Sequence, residues 1–341
     1  MSDSGLEMRT VAPAEWPGLA ARFADLGFEQ TLTYAEAAAR RVGAALRLVA
    51  VGDAAGRTVA AAAVRIRSVP GLGRGIAWCP AGPLLHPDGG QTSPGPVLAA
   101  LRSGLVLREG HVLRVRPSGT AFADPDRWAE AARSAGFRPA SAPRAYCSSA
   151  IDLAQDDATL MRSFDGKWRT DLRFALKSGL GLDAGDDAGL RDRFLRLFAE
   201  VKGAKGFRPD IAPEFHFALS GPDYRCEVLI ATRNAQDVAG VAVGHSGPCS
   251  TYLFGATGPA GRPLRAGYFL TWEALRRSRT QGARWYDLGG IDPAENPDVA
   301  RFKQRMNGAA IRAEVWQTHG PGPLPPLVLG LERLRARLKG R

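Results

Sequence analysis

Four cations, Arg162, Arg169, Arg173 and Lys177, follow one another at spacings of seven, four and four residues. On a helix of 3.6 residues per turn they share one face, where like charges repel and cost stability unless an anion answers them. Two answers are open. One is solvent together with the nearby acids Asp165 and Asp171; the other is a phosphate-bearing substrate, which forked guanidinium groups suit. Asp287 closes an apolar run just before Gly289 and Gly290. A carboxylate there accepts a proton, holds an ammonium, or caps the next segment. Lys303 stands between Arg301 and Arg305 and, by residue type alone, reads as a surface lysine of a basic helix.

Other chemistries find no pattern to carry them. His86, His111, His216, His245 and His319 show no metal-ligand spacing, so no metal is expected. Cys79, Cys147, Cys226 and Cys249 are too far apart for a CxxC pair and are expected as free thiols in a reducing compartment. There is no G-x-S-x-G elbow around a serine nucleophile, and no phosphate-binding glycine loop follows a strand.

The elements that must position these groups alternate between strand and helix. Residues 48–64 read as two apolar strands around a Gly/Asp turn, and residues 228–243 repeat that design around Arg233–Asp237. In each half a helix-like stretch then ends at glycine before a strand, at Gly110 and at Gly282. The order is the same in both halves, which suggests duplicated αβ domains meeting near residue 148. Thr251–Ala256 is expected as a strand, followed by a helix opening at Pro263 with Leu264, Tyr268, Trp272 and Leu275 on one face. The basic run at 157–179 is expected as helix with Met161, Phe164, Trp168, Leu172 and Ala175 toward the core, either continuous or broken near Gly166. The Pro/Gly-rich stretches 69–97 and 320–326 are expected as loops or linkers.

A chain of 341 residues with 45% hydrophobic content buries a sizeable core, and its length favours two domains. Its net charge of +11 makes nucleic acid, anionic lipid and diphosphate eligible partners without choosing among them. Met1–Glu7 lacks the pattern of a secretory signal and no segment is apolar enough to span a membrane, so a cytoplasmic place is expected, possible contact with the inner membrane face included. Leu327, Leu331, Leu334 and Leu338 line one face of a basic segment that carries Arg333, Arg335, Arg337, Lys339 and Arg341. Such a helix either docks on its own domain or lies on anionic lipid.

From Ile151 onward the order of motifs resembles the Fem family (FemABX-like), which attaches amino acids from charged tRNA to peptidoglycan precursors. The segment Lys167-Trp168-Arg169-Thr170-Asp171-Leu172-Arg173-Phe174-Ala175-Leu176-Lys177-Ser178-Gly179-Leu180 is similar to that family's K-x-R-x-x-x-R-x-A-x-K-x-G-L pattern. Tyr252–Ala256, Trp285–Ile291 and Arg301–Met306 follow in the family's order. The N-terminal half matches more loosely, through Phe28–Thr31 and Trp78–Leu84, with Ala81 where the family tends to carry arginine.

The resemblance implies an α/β fold with mixed sheets, as two tandem GNAT-like acyltransferase domains: 1–147, 148–320 with the catalytic site, and 321–341 as a linker and basic helix. It implies an aminoacyltransferase in which Phe302-Lys303 matches the family's Phe-Lys pair, the lysine stabilising the carbonyl oxygen's developing charge. Lys303 and Asp287 are then the catalytic candidates. Phe302, Arg305, Arg169, Arg173, Lys177 and Tyr252 are the substrate-binding candidates. The co-substrate is aminoacyl-tRNA with no further cofactor, and the acceptor is an amine, by default on a lipid-linked peptidoglycan precursor or else on a natural-product scaffold. An acyl-CoA donor is the rival reading. The nearest stretch to a CoA-binding [QR]-x-x-G-x-[GA] loop is Arg262–Gly267, where Arg265 replaces the first glycine. A non-catalytic nucleic-acid or membrane binding module is the reading from a different class.

Overall fold

The computed structural model describes residues 5–88, 90–119, 124–205 and 211–339. Met1–Ser4 and Arg341, parts of two stretches read above, lie outside them. In chain order the strands are β1 (Glu7–Thr10), β2 (Ala45–Gly52), β3 (Thr58–Ser68), β4 (Gly75–Cys79), β5 (Val112–Val115), β6 (Arg138–Pro139) and β7 (Tyr146–Asp152). They continue as β8 (Gly181–Gly185), β9 (Arg225–Arg233), β10 (Gln236–Ser246), β11 (Cys249–Thr257), β12 (Trp285–Asp287), β13 (Ala309–Ala313) and β14 (Trp316–Thr318).

Two sheets result, each the centre of one compact unit. The first has the order β1-β2-β3-β4-β5-β14-β6 and the second β13-β7-β12-β11-β10-β9-β8. One unit comprises residues 1–146 and 312–341, the other residues 147–311. The sequence reading ran the C-terminal domain to residue 320 and set 321–341 apart; the structure instead places 312–341 with the N-terminal unit, because β14 hydrogen-bonds between β5 and β6.

Both units repeat one plan. Three antiparallel strands, β2-β3-β4 or β9-β10-β11, are followed by a helical crossover to a parallel neighbour, β5 or β12. Gly110 at φ 77° and Gly282 at φ 89° end the crossovers in the left-handed region that favours glycine. In the second hairpin the turn falls on Asn234 and Ala235, both at positive φ.

Three expectations need correction. The 69–97 stretch is not all loop: β4 runs through it, pairing with β3 and β5, and the helix Pro94–Leu101 begins inside it. The helix expected from Pro263 begins at Ala266, because Arg265 takes φ 55° and the preceding residues form turns. The helix Leu324–Lys339 starts within the supposed 320–326 linker.

The basic run at 157–179 forms two helices. Asp156 caps Asp157–Ser163 and Asp165 caps Gly166–Lys177, with extended backbone at Phe164 and Asp165 between them. Leu160, Phe164, Trp168, Leu172 and Ala175 enter the second unit's core, and Met161 packs against its edge. Phe164, Trp168, Tyr268, Trp272 and Phe302 meet there with ring centroids 4.7–6.2 Å apart, joining these helices to Ala266–Thr280 and Pro297–Gln304.

Candidate active site

At the end of β12 the register sets Asp287 opposite Thr251 of parallel β11 and Ala150 of antiparallel β7. The chain then leaves as Leu288-Gly289-Gly290 while still bonded to β7, since the Leu288 amide donates to the Ser149 carbonyl and the Ile291 amide to that of Cys147. Gly289 is required here. It sits at φ 71°, and a Cβ would stand 2.2 Å from the carbonyl oxygen of Tyr252.

Asp287 is buried, and its Oδ1 accepts from the Gly289 amide at 2.8 Å and from the Ser148 hydroxyl. Ser148 lies 2.8 Å from the Gly289 carbonyl as well. These contacts fix the shape of the glycine turn, so the geometry gives Asp287 a positioning part. Ser148 is the residue that sequence reasoning passed over. It is one of two neighbouring buried serines on β7, and only the pairing of β7 with β12 singles it out.

Lys303 reaches the same turn from the helix Pro297–Gln304. By residue type it read as a surface lysine; in the structure it is 6% exposed. Its Nζ donates to the Gly290 carbonyl at 2.9 Å and stands 5.2 Å from the centre of the Tyr252 ring. Burial pulls the ammonium down to about 8, partly opposed by the nearby Asp287 charge. Burial also pushes the Tyr252 phenol up to about 12, so it stays neutral. An ammonium has three donors, and the Gly290 carbonyl takes one. The arrangement is a buried cation, near neutral in titration, whose remaining donors can meet an oxygen that acquires charge.

The structure brings Lys303, Asp287 and Tyr252 together and gives the other candidates different surroundings. Phe302 packs its ring on Trp168 and Tyr268, holding the helix that carries Lys303. Arg169 donates to the carbonyls of Arg162 and Phe164, at the end of the preceding helix. Arg305 stands 3.9 Å from Asp165. Arg173 and Lys177 are exposed with no ion-pair partner among the described residues. Asp171 is buried and held by Arg265 at 3.0 Å and Lys167 at 3.5 Å, so it answers a different pair of cations than the sequence suggested.

The loop nearest to a CoA-binding pattern is already occupied by its own backbone. The amides of Gly261, Arg262, Arg265 and Ala266 donate to carbonyls of Gly258, Arg262 and Gly261, leaving few donors for a pyrophosphate.

Replacing Gly289 with alanine is expected to destabilise the protein by about 2 kcal/mol or more, since strain in this region costs on the order of 1–3 kcal/mol and the methyl meets backbone. Turnover should fall with it, as the Gly290 carbonyl leaves Lys303. Thermal unfolding and steady-state kinetics of the variant check both.

A family model described as an acetyltransferase (GNAT) domain matches residues 166–304. A lipid II:glycine glycyltransferase from Staphylococcus haemolyticus (strain JCSC1435) is 27% identical over 99 residues, covering 29% of this chain and only 23% of that protein. Among solved structures, FemX aligns with a TM-score of 0.76 at 15% identity, covering 94% of this chain and 99% of that one. The C-terminal domain of a candidate lysylphosphatidylglycerol synthetase from Agrobacterium fabrum aligns at 0.54 and 12% identity, over 94% and 96% of the two chains. These structural likenesses establish the fold. Taken with the GNAT match, they give the chain a tandem GNAT-like fold with a GNAT domain at residues 166–304, similar to FemX and to the glycyltransferase.

Proposed function

We propose that the chain transfers an aminoacyl group from aminoacyl-tRNA to an amine, by default on the stem peptide of a peptidoglycan precursor. The observation that carries this reading is the buried Lys303 ammonium on the Gly289-Gly290 turn. The neutral acceptor amine attacks the ester carbonyl of the charged tRNA, and the carbonyl oxygen takes up negative charge as the C–N bond forms. Lys303 donates to that oxygen. The C–O bond to the ribose then breaks, and the amine's proton ends on the departing ribose hydroxyl. No covalent enzyme intermediate is needed.

Two features favour a tRNA ester over acyl-CoA. Three amides of the Arg262–Gly267 loop are spent internally and Pro263 has none to give, and Arg173 with Lys177 presents exposed cations to a phosphate backbone. The relative's printed name supports the acceptor class, as a lipid II glycyltransferase.

The test is incubation of purified protein with a pool of tRNAs charged with labelled amino acids and candidate amine acceptors. Transfer abolished by ribonuclease is the expected result. Transfer that proceeds only from acyl-CoA would replace this reading with CoA-dependent N-acylation.

A further inference from the structure

The N-terminal unit holds a cleft of about 660 Å³ that the transfer chemistry does not use. Its size suits a ligand of drug-like dimensions. One wall is cationic. Arg65 and Arg67 alternate along β3 onto the same face, and Arg41 joins them from the last turn of the helix Leu32–Val42. Neither Arg65 nor Arg67 has an acidic partner among the described residues, and Nη2 of Arg67 is buried without a hydrogen-bond partner. Arg114, also at the cleft, is committed to a two-pronged pair with Glu332 at 2.6 and 2.7 Å.

The helix Leu324–Lys339 also lines the cleft, with Val328 and Leu331 beside Glu332 and Arg335. Val328, 4% exposed, and the Arg114–Glu332 pair dock this helix on its unit. About a quarter-turn round from Val328 lies a second apolar stripe, spaced so that every member stands on one face. Leu327, Leu331, Leu334 and Leu338 are 48%, 40%, 55% and 66% exposed. Leu331 belongs to both, lining the cleft and opening the stripe. Arg333, Arg335 and Arg337 flank it, all exposed. The sequence left this helix either docked or lipid-facing; the structure has it docked on one face with a leucine face left over.

We propose that the cleft and the leucine stripe together form a docking site for an anionic phospholipid bilayer. A headgroup phosphate seats on Arg65 and Arg67, while the leucines enter the boundary between headgroups and acyl chains. The pairing of features selects this occupant. An isolated phosphate gives the leucines nothing to bury them, and an RNA backbone satisfies the arginines but not the stripe, whereas an anionic bilayer offers both at one surface. No helix among the described residues is long and apolar enough to cross a membrane. The docking is therefore on the surface, and it does not depend on which acyl donor the second unit uses.

The test is sedimentation of the full chain with vesicles of phosphatidylglycerol and phosphatidylcholine, against vesicles of phosphatidylcholine alone. The anionic vesicles are expected to bind the protein and the neutral ones not. Arg65→Gln with Arg67→Gln should weaken binding roughly thirtyfold, at about one kcal/mol per cation at the surface. Leu334→Glu lies outside the cleft on an exposed position and should weaken it by at least about tenfold, with the melting temperature unchanged. Equal binding to both vesicles, binding to neither, or binding that survives either change overturns the proposal. So does arginine-dependent binding of uncharged tRNA in place of vesicles. Transfer to a water-soluble acceptor should be the same for wild type and Leu334→Glu.

Discussion

Methionine in place of Lys303 is expected to lower turnover by roughly 10²- to 10³-fold, the loss that follows removal of one donor to a developing oxyanion. Methionine keeps the volume and apolar stem, so the loss isolates the ammonium. The same change should raise stability near pH 7. Holding this group charged inside the fold moves it from 10.5 to about 8, which at 1.36 kcal/mol per pH unit costs about 3 kcal/mol. The Gly290 carbonyl loses its partner in the variant, so a net gain of about 2 kcal/mol is expected. Denaturant unfolding checks it. Two pH dependences follow. The ammonium is present below about 8 and disappears above it, so wild-type turnover should fall as pH rises through that value, while the residual rate of the variant shows no such limb. In stability the sign is opposite. Between about 8 and 10.5 the unfolded chain binds a proton that the folded chain does not, so wild type gains on the variant as pH rises through that window. Turnover of Lys303→Met equal to wild type would remove the lysine from the chemistry.

The second large effect lies away from the turn. Glu227 on β9 is 1% exposed and gathers His245 of β10 at 3.2 Å, with Arg277 at 2.6 Å and Gln281 from the helix that crosses the sheet. Burial alone would push this carboxyl up, but the hydrogen bonds from His245 and Arg277 outweigh it and hold it at about 2. Glu227→Ala strands these partners and should cost about 3 kcal/mol, the low end for a broken buried ion pair because Arg277 can turn outward to water. In wild type the contribution is complete above about 4.5 and is lost as pH falls toward 2. Urea unfolding of the two proteins at pH 7 and at pH 3 measures this, and a difference that does not shrink at pH 3 counts against it.

How far the sequence reaches is clearest from particular elements. The two hairpins were readable because their apolar runs are long and their turns carry Gly, Asn and Asp, and β2-β3 and β9-β10 fall where those signals put them. The core face of the 157–179 run was readable from its helical spacing, and the break at Phe164 and Asp165 lies just before the glycine that marked it. By contrast β14 is three residues long, too short for any periodicity, and its place between β5 and β6 depends on a pairing across more than half the chain. The site divides in the same way. The order of motifs singled out Lys303, Asp287 and Tyr252, but a lysine's burial is decided by what surrounds it, and its residue type argued for the surface. Arg169 was read as available for substrate because its spacing matched a charged stripe, and two helix-end carbonyls next to it in space hold its Nη1. Ser148 shows up only when β7 is laid beside β12.

The position of β14 bears on how the molecule is made. Synthesis delivers β1 to β6 first, yet the sheet they form has a gap that only Trp316–Thr318 closes. About 180 residues must still be translated before that strand exists, which takes roughly 10 to 35 seconds at about 5–20 residues per second. Until then β5 presents an unpaired edge, a template for a chaperone or a neighbouring nascent chain, and the arrival of Trp316–Thr318 is what closes it.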